Sequence, residues 1–389
     1  MIFLVLLLVG ISYCIDLKTA VEKALSYHPS LKALEEEKKG IEGKVLLYKS
    51  YLNPTLGVEI GNLGTSKEGI SSNPLYRLSY LQPLLLYPLA TQTKEVVGYE
   101  LSAFDQRIAQ ERNALKSEVY LAFYSALYRK ELLNIAKENY SISQEIYQFV
   151  RKLFDLGETT KLELFRAERE LKLAENELHL AESDLKMALG RLSLLTGSNV
   201  EDVEGKLDEL KQMKEINFEE IPQVKQYSYM IKSTEASVQV EKTLAKPQLS
   251  VEVLSEKVSQ NQYGIRLGFS ATLPVFYRRE GEIIQLSAKA SSLENLRQLE
   301  LMKAKNQYEQ LFSRYQTLIK QVQDIDGFML AQAKEELSLA LKSYRLKTIS
   351  ALELYDTKRR YIQLVKYRAD LLMQAHQEYA GYISLGGQL

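Results

Sequence analysis

Apolar residues recur at helical spacing along most of the chain, which predicts a mainly helical protein. Asp16 is the predicted N-cap of a first helix, and Pro29 begins a second helix that extends to about Ser50. The remaining helical stretches are predicted at about 91–152, 158–196, 281–345 and 349–384. At about 1.5 Å per residue, a helix of about 60 residues is about 90 Å long. No compact domain holds a helix of that length.

The shorter helix that follows each long one carries a narrow apolar seam. In the first, leucine and alanine mostly alternate at spacings of three and four residues for about four heptads: Leu164, Ala167, Leu171, Ala174, Leu178, Ala181, Leu185, Ala188, Leu192 and Leu195. The second has a comparable stripe: Ile362, Val365, Ala369, Leu372, His376, Tyr379 and Ile383. Because small residues between large ones let neighbouring helices approach closely, the seams predict long coiled-coil pairs.

The hydrophobic period changes to two in one segment of each half, which predicts β-hairpins at about 53–87 and 247–276. Each predicted strand is close to the 9 to 11 residues or so that a tilted membrane-spanning strand requires. Their apolar side chains would then contact lipid; in the second hairpin these are Leu249, Val251, Val253, Ile265, Leu267 and Phe269. An amphipathic hairpin packed on its own helices has the same alternation, so both interpretations stay open.

The chain is predicted to be a tandem duplication. Leu156–Phe165 aligns with Leu346–Tyr355 without a gap, at an offset of 190 residues. Asn53–Glu59 likewise aligns with Lys246–Glu252. Each repeat is expected to contain a helix, a hairpin, a long helix and a shorter helix. The predicted organisation is a first repeat at 15–197, a linker at 198–220 and a second repeat at 221–389.

Residues 1–14 carry no charged side chain and are mostly apolar, which suits a signal peptide better than a membrane-spanning helix. Ser12 and Cys14 fit the small residues that precede a cleavage site, which gives a mature chain starting at Ile15. Lipidation of Cys14 is an alternative, although Tyr13 is bulky for a lipoprotein signal. A buried N-terminal segment of a cytosolic protein is the other alternative.

The composition argues against several classes of protein. The 50 Lys and Arg residues balance the 50 Asp and Glu residues, so no nucleic-acid partner is predicted. A single Cys allows no disulfide framework. Beyond the N-terminus no apolar run approaches the roughly 20 residues of a membrane-spanning helix, so none is predicted in the mature chain.

No pattern in the sequence indicates catalysis, and neither an enzyme nor a cofactor is predicted. A glycine-rich phosphate loop, a pair of cysteines and a His-Glu-x-x-His helix are all missing from the sequence. His179 has Glu175 and Glu182 one turn away on either side, which would give at most a weak metal site. Solvated helices contain such trios by chance, so no metal site is predicted.

Four strands are too few to close a membrane barrel, because known barrels begin at about eight strands. Open strand edges are also excluded from lipid, since their backbone N–H and C=O groups would lack partners. Several chains are therefore predicted to share one transmembrane β-barrel, and their long antiparallel coiled-coil helices to form an α-barrel. The predicted fold class is mostly α with membrane β.

Several segments make the sequence resemble the TolC-like outer-membrane efflux proteins over nearly its whole mature length. They are Ala24–Ala33, Leu52–Ile60 with the following Gly-Asn-Leu-Gly, Thr272–Tyr277 and both helix turns. The Asn53-Pro54 entry to the first hairpin is similar to the outer-membrane component of heavy-metal tripartite efflux systems, of the cobalt, zinc and cadmium or copper type.

The resemblance implies a homotrimer in the outer membrane, embedded in lipid, whose chains each contribute four strands to a 12-stranded barrel. It also implies a long periplasmic tunnel that docks on an adaptor (membrane fusion) protein and an inner-membrane pump. The docking surface would be the tips of the helix pairs: Leu156, Gly157, Glu158, Leu346, Lys347 and Thr348. The protein would then be the passive exit duct of a tripartite efflux system of the RND type, carrying metal ions or small toxic molecules.

Members of this family close the tunnel near the helix tips by polar contacts between helices and by acidic rings. The matching positions are Tyr344 for a gate contact, Glu163 for the acidic gate position of the first half, and Glu353 and Asp356 for the rings. Three copies of an acidic residue around a narrow axis would attract cations, whereas most charges on long helices are simply solvated. Ile349 stands where some relatives have a gate arginine, and Lys347 replaces the glycine found as Gly157, so the two turns are expected to differ.

Two other functions compete with the efflux duct. A type I protein-secretion exit duct would have the same architecture. A periplasmic coiled-coil adaptor or scaffold protein would have the helices without a membrane barrel, but it would not need two amphipathic hairpins. The sequence does not name the cargo, because a wide tunnel leaves the choice of substrate to the pump.

Overall fold

The structure is a computed structural model that describes residues 14–49, 52–61, 65–66, 69–70, 75–84, 86–259 and 262–389. The predicted signal peptide, apart from Cys14, lies outside the described residues. The chain forms two compact units, each assembled from segments of both halves. The helical unit consists of Met1–Lys32, Ala109–Phe218 and Lys303–Leu389, and the strand unit of Ala33–Ile108 and Glu219–Met302.

The chain is mostly helical, as the periodicity predicts. The described helices are α1 (Leu17–Tyr27), α2 (Pro29–Lys49), α3 (Leu89–Asp155), α4 (Lys161–Thr196), α5 (Pro222–Leu244), α6 (Glu280–Asp324), α7 (Leu330–Arg345) and α8 (Ala351–Ser384). A 3₁₀ turn at Phe218–Glu220 precedes α5. Over the part of the chain that the structure describes, no helix combines the length and the apolar character needed to cross a membrane.

A π-helical segment, Ile325–Met329, joins α6 to α7 and was not predicted from the sequence. Arg368 of α8 holds this segment, because its Nη2 lies 2.9 Å from Oδ2 of Asp326 and its Nε contacts Oδ1 of the same carboxylate. The long helical stretch predicted at about 281–345 is therefore present but contains one widened turn.

The four longer strands of the strand unit form one antiparallel sheet. The described strands are β1 (Cys14–Ile15), β2 (Thr55–Gly61), β3 (Thr65–Ser66), β4 (Gly69–Ile70), β5 (Leu75–Leu84), β6 (Asp202–Val203), β7 (Gln248–Ser259) and β8 (Gln262–Thr272). The four longer ones lie in the order β2-β5-β7-β8, so β2 and β8 are the edges. The first hairpin meets the second through β5 and β7, where Tyr80 lies opposite Val253.

Local signals explain where α4 begins and ends. The Thr160 side chain accepts a hydrogen bond from the backbone N–H of Glu163 at 3.3 Å, which caps the first turn. Gly197 ends the helix in the left-handed conformation, with φ of +63°. A Cβ at Gly197 would overlap the ring of Tyr27, so this position requires glycine for space as well as for its φ angle.

An aromatic cluster around His376 forms the centre of the helical unit. The His376 Nδ1 lies 2.8 Å from the Tyr120 hydroxyl, and its Nε2 lies 2.8 Å from the carbonyl oxygen of Leu207. The Tyr124 ring stacks on the imidazole with 3.5 Å between ring centroids. Because a carbonyl can only accept, Nε2–H donates to Leu207 and Nδ1 accepts from Tyr120. His376 thus connects α3 and α8 to the segment predicted as a linker.

We expect the free energy of unfolding to fall as the pH is lowered from about 6.5 to about 4. Burial lowers the pKa of His376 to about 4, from its ordinary value of 6.5. In this range the unfolded chain takes up a proton that the folded protein excludes, so acid favours unfolding by about 3 kcal/mol at most. Urea unfolding at several pH values, followed by circular dichroism, measures the effect.

His376→Gln should remove this part of the pH dependence and lower the free energy of unfolding at pH 7 by about 1 to 3 kcal/mol. His179→Gln is the control, because the His179 side chain is 68% exposed. The same acid sensitivity in His376→Gln and in the unsubstituted protein would contradict the assignment.

Candidate functional site

Both helix turns have the same backbone structure. In the first, Gly157 has φ of +74° and the Glu158 N–H donates to the Leu153 carbonyl at 2.8 Å. In the second, Lys347 has φ of +62° and the Thr348 N–H donates to the Ser343 carbonyl at 2.9 Å. This is the Schellman arrangement in each case. The expected difference between the turns is therefore confined to the side chain, and Lys347 bears a conformational cost of about 1 kcal/mol.

The tips combine exposed leucines with an ion pair between the two turns. Leu156 and Leu346 hold equivalent positions and are 72% and 75% exposed. The Lys347 Nζ lies 2.7 Å from Oε2 of Glu158, so the side chain that replaces glycine links the second turn to the first. The predicted docking residues therefore lie close together at one end of the helical unit.

Tyr344 lies in the apolar core behind the turns and does not project from them. It is 8% exposed and packs edge to face against Phe149, with 5.7 Å between ring centroids. Burial, followed by the nearby charge of Glu163, raises the pKa of the Tyr344 hydroxyl. The remaining buried members of this core are Ile146, Val150, Leu164, Ala167, Ala351 and Leu354. The structure thus brings together Tyr344 and Glu163, the residues predicted for the gate contact and for the acidic gate position of the first half.

Glu163 and Glu353 occupy the same position in the first turn of α4 and α8. The Ser350 N–H donates to Oε2 of Glu353 at 2.8 Å, and the Glu353 N–H donates to Oγ of Ser350 at 3.2 Å. This reciprocal pair is a capping box. Glu163 accepts a hydrogen bond from the Thr159 hydroxyl at 2.5 Å. The Ser-x-x-Glu spacing of Ser350 and Glu353 is the sequence signal of such a box, which was not predicted.

Asp356 is accompanied by two arginines on its own helix. The Arg360 Nε lies 2.8 Å from Oδ2 of Asp356, and Arg359 contacts Oδ1. Lys358 follows in the same turn, so the segment 351–360 carries three cations and two carboxylates. The charge of the predicted acidic ring is therefore partly compensated, a feature that the i+3 and i+4 spacing of the arginines already indicates.

A cavity of about 600 Å³ lies between α4 and α8, behind the turns. Lys358 is 5% exposed and lines this cavity; its Nζ donates to the Ser143 hydroxyl at 2.9 Å and lies 3.8 Å from Oε2 of Glu170. Burial lowers the pKa of Lys358. Sequence reasoning missed this lysine, because nothing in its spacing separates it from the solvated cations beside it.

The histidines do not form a metal centre with the carboxylates around them. The His179 Nδ1 lies 3.4 Å from Oε2 of Glu182, while Glu175 pairs with Lys172. Within the described ranges, no group of three or more His, Cys, Asp or Glu side chains is placed to hold a metal ion.

The strand residues predicted to contact lipid share one face of the sheet. Residues directly opposite each other in a sheet point to the same face, as Val58 and Leu78 do in the first hairpin and Val253 and Leu267 in the second. Tyr80 lies two residues from Leu78 and opposite Val253, which places both pairs on one face. Phe269 and Ile265 on the edge strand are 81% and 80% exposed. The other exposed apolar residues of this face are Leu56, Ile60, Tyr76, Tyr80, Leu84 and Leu249. The opposite face is mainly polar, with Leu81 and Leu254 as exceptions.

Residues 20–198 match the sequence model of the family described as "Outer membrane efflux protein", which is somewhat less than half of the chain. A search of curated protein sequences gave no match.

Solved structures share the fold at low sequence identity. CusC matches with a TM-score of 0.80 and 16% identity, over 97% of this chain and 94% of that one. The Neisseria gonorrhoeae MtrE outer membrane channel in its open state matches with a TM-score of 0.77 and 17% identity, over 95% and 89%. The Campylobacter jejuni CmeC outer membrane channel matches with a TM-score of 0.75 and 16% identity, over 95% and 85%. The first half of the chain therefore carries the sequence pattern of outer membrane efflux proteins, and nearly the whole chain has the fold of solved outer-membrane channels.

Proposed function

We propose that the protein is a homotrimeric outer-membrane channel that serves as the passive exit duct of a tripartite efflux system. The observation that carries the proposal is the exposed apolar face of the sheet. In water such a face and two open strand edges would favour aggregation. In a bilayer the face contacts lipid, provided that the edges are paired by other copies of the chain.

The helices also carry exposed apolar residues. On α4, exposed residues recur every seven positions: Leu173, Leu180, Met187 and Leu194. A heptad row on the outside of a helix is typical of contact with a further helix. In our proposal a helix of a neighbouring copy packs against this row, so that the helices of three chains enclose a periplasmic tunnel.

The partners proposed for the helix tips are a periplasmic adaptor protein and, through it, an inner-membrane pump. The two exposed leucines and the ion pair between Lys347 and Glu158 form a small surface with apolar and charged parts. Tyr344 and Glu163 would act in closing the tunnel behind this surface. An acidic ring at Glu353 and Asp356 would select for cations, to the extent that Arg359 and Arg360 leave its charge uncompensated.

Metal ions and small toxic molecules are the proposed cargo, with a heavy-metal system as the preferred subtype on the Asn53-Pro54 resemblance. A protein-secretion duct has the same architecture and is the alternative cargo class. A periplasmic adaptor or scaffold is disfavoured, because it would leave the apolar face of the sheet in water. Export to the outer membrane would use residues 1–14 as signal peptide, with Cys14 either removed or lipidated.

The function is tested by the mass of the protein extracted in mild detergent from an outer-membrane fraction. Native mass spectrometry should show a trimer. A soluble monomer or dimer would contradict the channel and leave the coiled-coil adaptor as the leading function.

Leu267→Arg should prevent assembly in the membrane, because an arginine facing lipid near the bilayer midplane costs about 2 to 4 kcal/mol. Ser270→Arg is the matched control, since Ser270 lies on the same strand and faces the other side of the sheet. The amount of trimer in the outer-membrane fraction measures both variants. Equal assembly of Leu267→Arg and Ser270→Arg would show that the apolar face does not contact lipid.

Glu353→Gln with Asp356→Asn should lower the preference for cations in planar bilayer recordings. Glutamine can retain the capping box, so Glu353→Gln removes the charge without removing the cap. Asp356→Asn should have the larger effect, because it also leaves Arg359 and Arg360 without their carboxylate. An unchanged cation preference in the double variant would show that these residues do not line the constriction.

A further inference from the structure

The cavity between α4 and α8 is lined by more positive than negative side chains. Among the described residues that line it, the carboxylates are Glu170, Glu177 and Asp356. The cations are Arg166, Arg169, Lys358, Arg359 and Lys366. The cavity thus has an excess of two positive charges, although the chain as a whole has as many Lys and Arg residues as Asp and Glu residues.

Each carboxylate of the cavity already lies beside a cation. The pairs are Glu170 with Lys358 at 3.8 Å, Glu177 with Lys366 at 3.4 Å, and Asp356 with Arg359. Arg166 and Arg169 of α4, by contrast, form no ion pair with any residue that the structure describes. The excess charge therefore belongs to these two arginines.

The two arginines lie at the same level of the cavity as the buried Lys358. The glutamate–lysine contacts between α4 and α8 follow the same order along both helices, so the helices run in the same direction. Arg169 directly precedes Glu170, which contacts Lys358, and Arg166 lies about one turn earlier, near the level of Tyr355. Along the axis of α4 the two arginines are about 4.5 Å apart.

Lys358 and Tyr355 have hydrogen-bonding capacity that the chain does not use. The Lys358 ammonium has three N–H groups and donates to the Ser143 hydroxyl at 2.9 Å, whereas Glu170, at 3.8 Å, is too distant for a hydrogen bond. The Tyr355 hydroxyl is buried without a partner among the described residues. Burial also lowers the pKa of Lys358. An anion in the cavity would offset the cost of burying this ammonium, because it supplies an opposite charge and acceptor oxygens.

One turn beyond these cations, both helices present apolar residues to the cavity. Leu173 is 53% exposed and lies at the rim, above a floor that contains Ala174 and Ile362. The complete apolar lining is Leu173, Ala174, Ala351, Leu352 and Ile362. The volume of about 600 Å³ lies within the range of about 300 to 1,000 Å³ that is usual for sites of small organic molecules. An inorganic ion would leave the apolar surface in water, whereas an organic anion would cover it.

We propose that the cavity binds an organic anion, whose phosphate, sulfonate or carboxylate group lies between Arg166, Arg169 and Lys358. Its apolar part would lie against Leu173 and the floor of the cavity. Guanidinium groups suit such a ligand, because their planar N–H groups bind two oxygens of one anionic group at a time.

The inference goes beyond the proposed channel and does not depend on it. The cavity is formed by one chain, and the residues that line it belong to the helical unit. The site has the opposite charge preference to the predicted acidic rings, although Asp356 belongs to both. Because the ligand would contact α4 and α8 together, it would also stabilise the packing of these two helices.

Calorimetric titration of the full chain in a neutral detergent with 1-naphthyl phosphate tests the site. This probe joins a phosphate group with about two negative charges to a flat apolar ring system, and it should bind saturably at one molecule per chain. Inorganic phosphate has the charge without the ring, and 1-naphthylmethylammonium has the ring with the opposite charge. Both should bind at least about tenfold more weakly. Titration of the detergent alone corrects each measurement.

Arg166→Gln with Arg169→Gln should weaken the binding of 1-naphthyl phosphate by at least about tenfold. Both side chains are exposed and without an ion pair, so the fold should be retained, and circular dichroism checks it. Lys186→Gln with Arg191→Gln is the matched control, because it removes two exposed cations of α4 that do not line the cavity. The control should keep the affinity within about twofold.

Four results would overturn the site: no saturable binding of 1-naphthyl phosphate, equal affinity for inorganic phosphate, equal affinity for 1-naphthylmethylammonium, or equal affinities of the two double variants. Native mass spectrometry of the same sample tests the proposed function separately. A trimer that does not bind the probe would overturn the site and leave the channel standing. A monomer that binds it at Arg166 and Arg169 would contradict the channel and support the site.

Discussion

Among the described residues, the edge strands β2 and β8 each have a neighbouring strand on one side only, and this is the constraint on which the rest of the molecule depends. A strand edge in lipid leaves each N–H and C=O without a partner, and each such group costs several kcal/mol. A four-stranded sheet with one apolar face is therefore incomplete in a membrane as well as in water. In the proposed channel, a closed arrangement of several copies satisfies both the backbone and the apolar face. The heptad row of exposed apolar residues on α4 is typical of a helix that packs against a further helix.

The two carboxylates predicted to form the acidic rings also make local contacts within α8. Glu353 completes the capping box of α8, and Asp356 holds two arginines on the same helix. Both contacts stabilise the start of α8, one through the capping hydrogen bonds and the other through ion pairs at i+3 and i+4. A substitution that removes the charge of either residue can thus also change the stability of the helix. A loss of function after substitution of Glu353 or Asp356 should therefore be compared with the free energy of unfolding of the same variant.

Much of this fold could be predicted from the sequence, because its elements are long and regular. The period of two identified Leu267 and Phe269 as members of one face of their strand, since alternation directly encodes the face of a strand. Alternation does not encode the neighbour, so the pairing of β5 with β7 could not be predicted. His376 entered the sequence analysis as one member of an apolar stripe, and its bond to Leu207 depends on a chain segment about 170 residues away. The buried Lys358 was missed for the same reason.

The contact between β5 and β7 has a consequence for how the chain is made. Arg77 and Glu256 are 179 residues apart in sequence, whereas the strands inside each hairpin are near neighbours. Because the chain is made amino end first, the first hairpin is complete long before its pairing strand is made. During that interval it has no β7 to pair with, and amphipathic hairpins with open edges are prone to aggregate in water. The first half of the sheet thus depends on the synthesis of the second half for its completion.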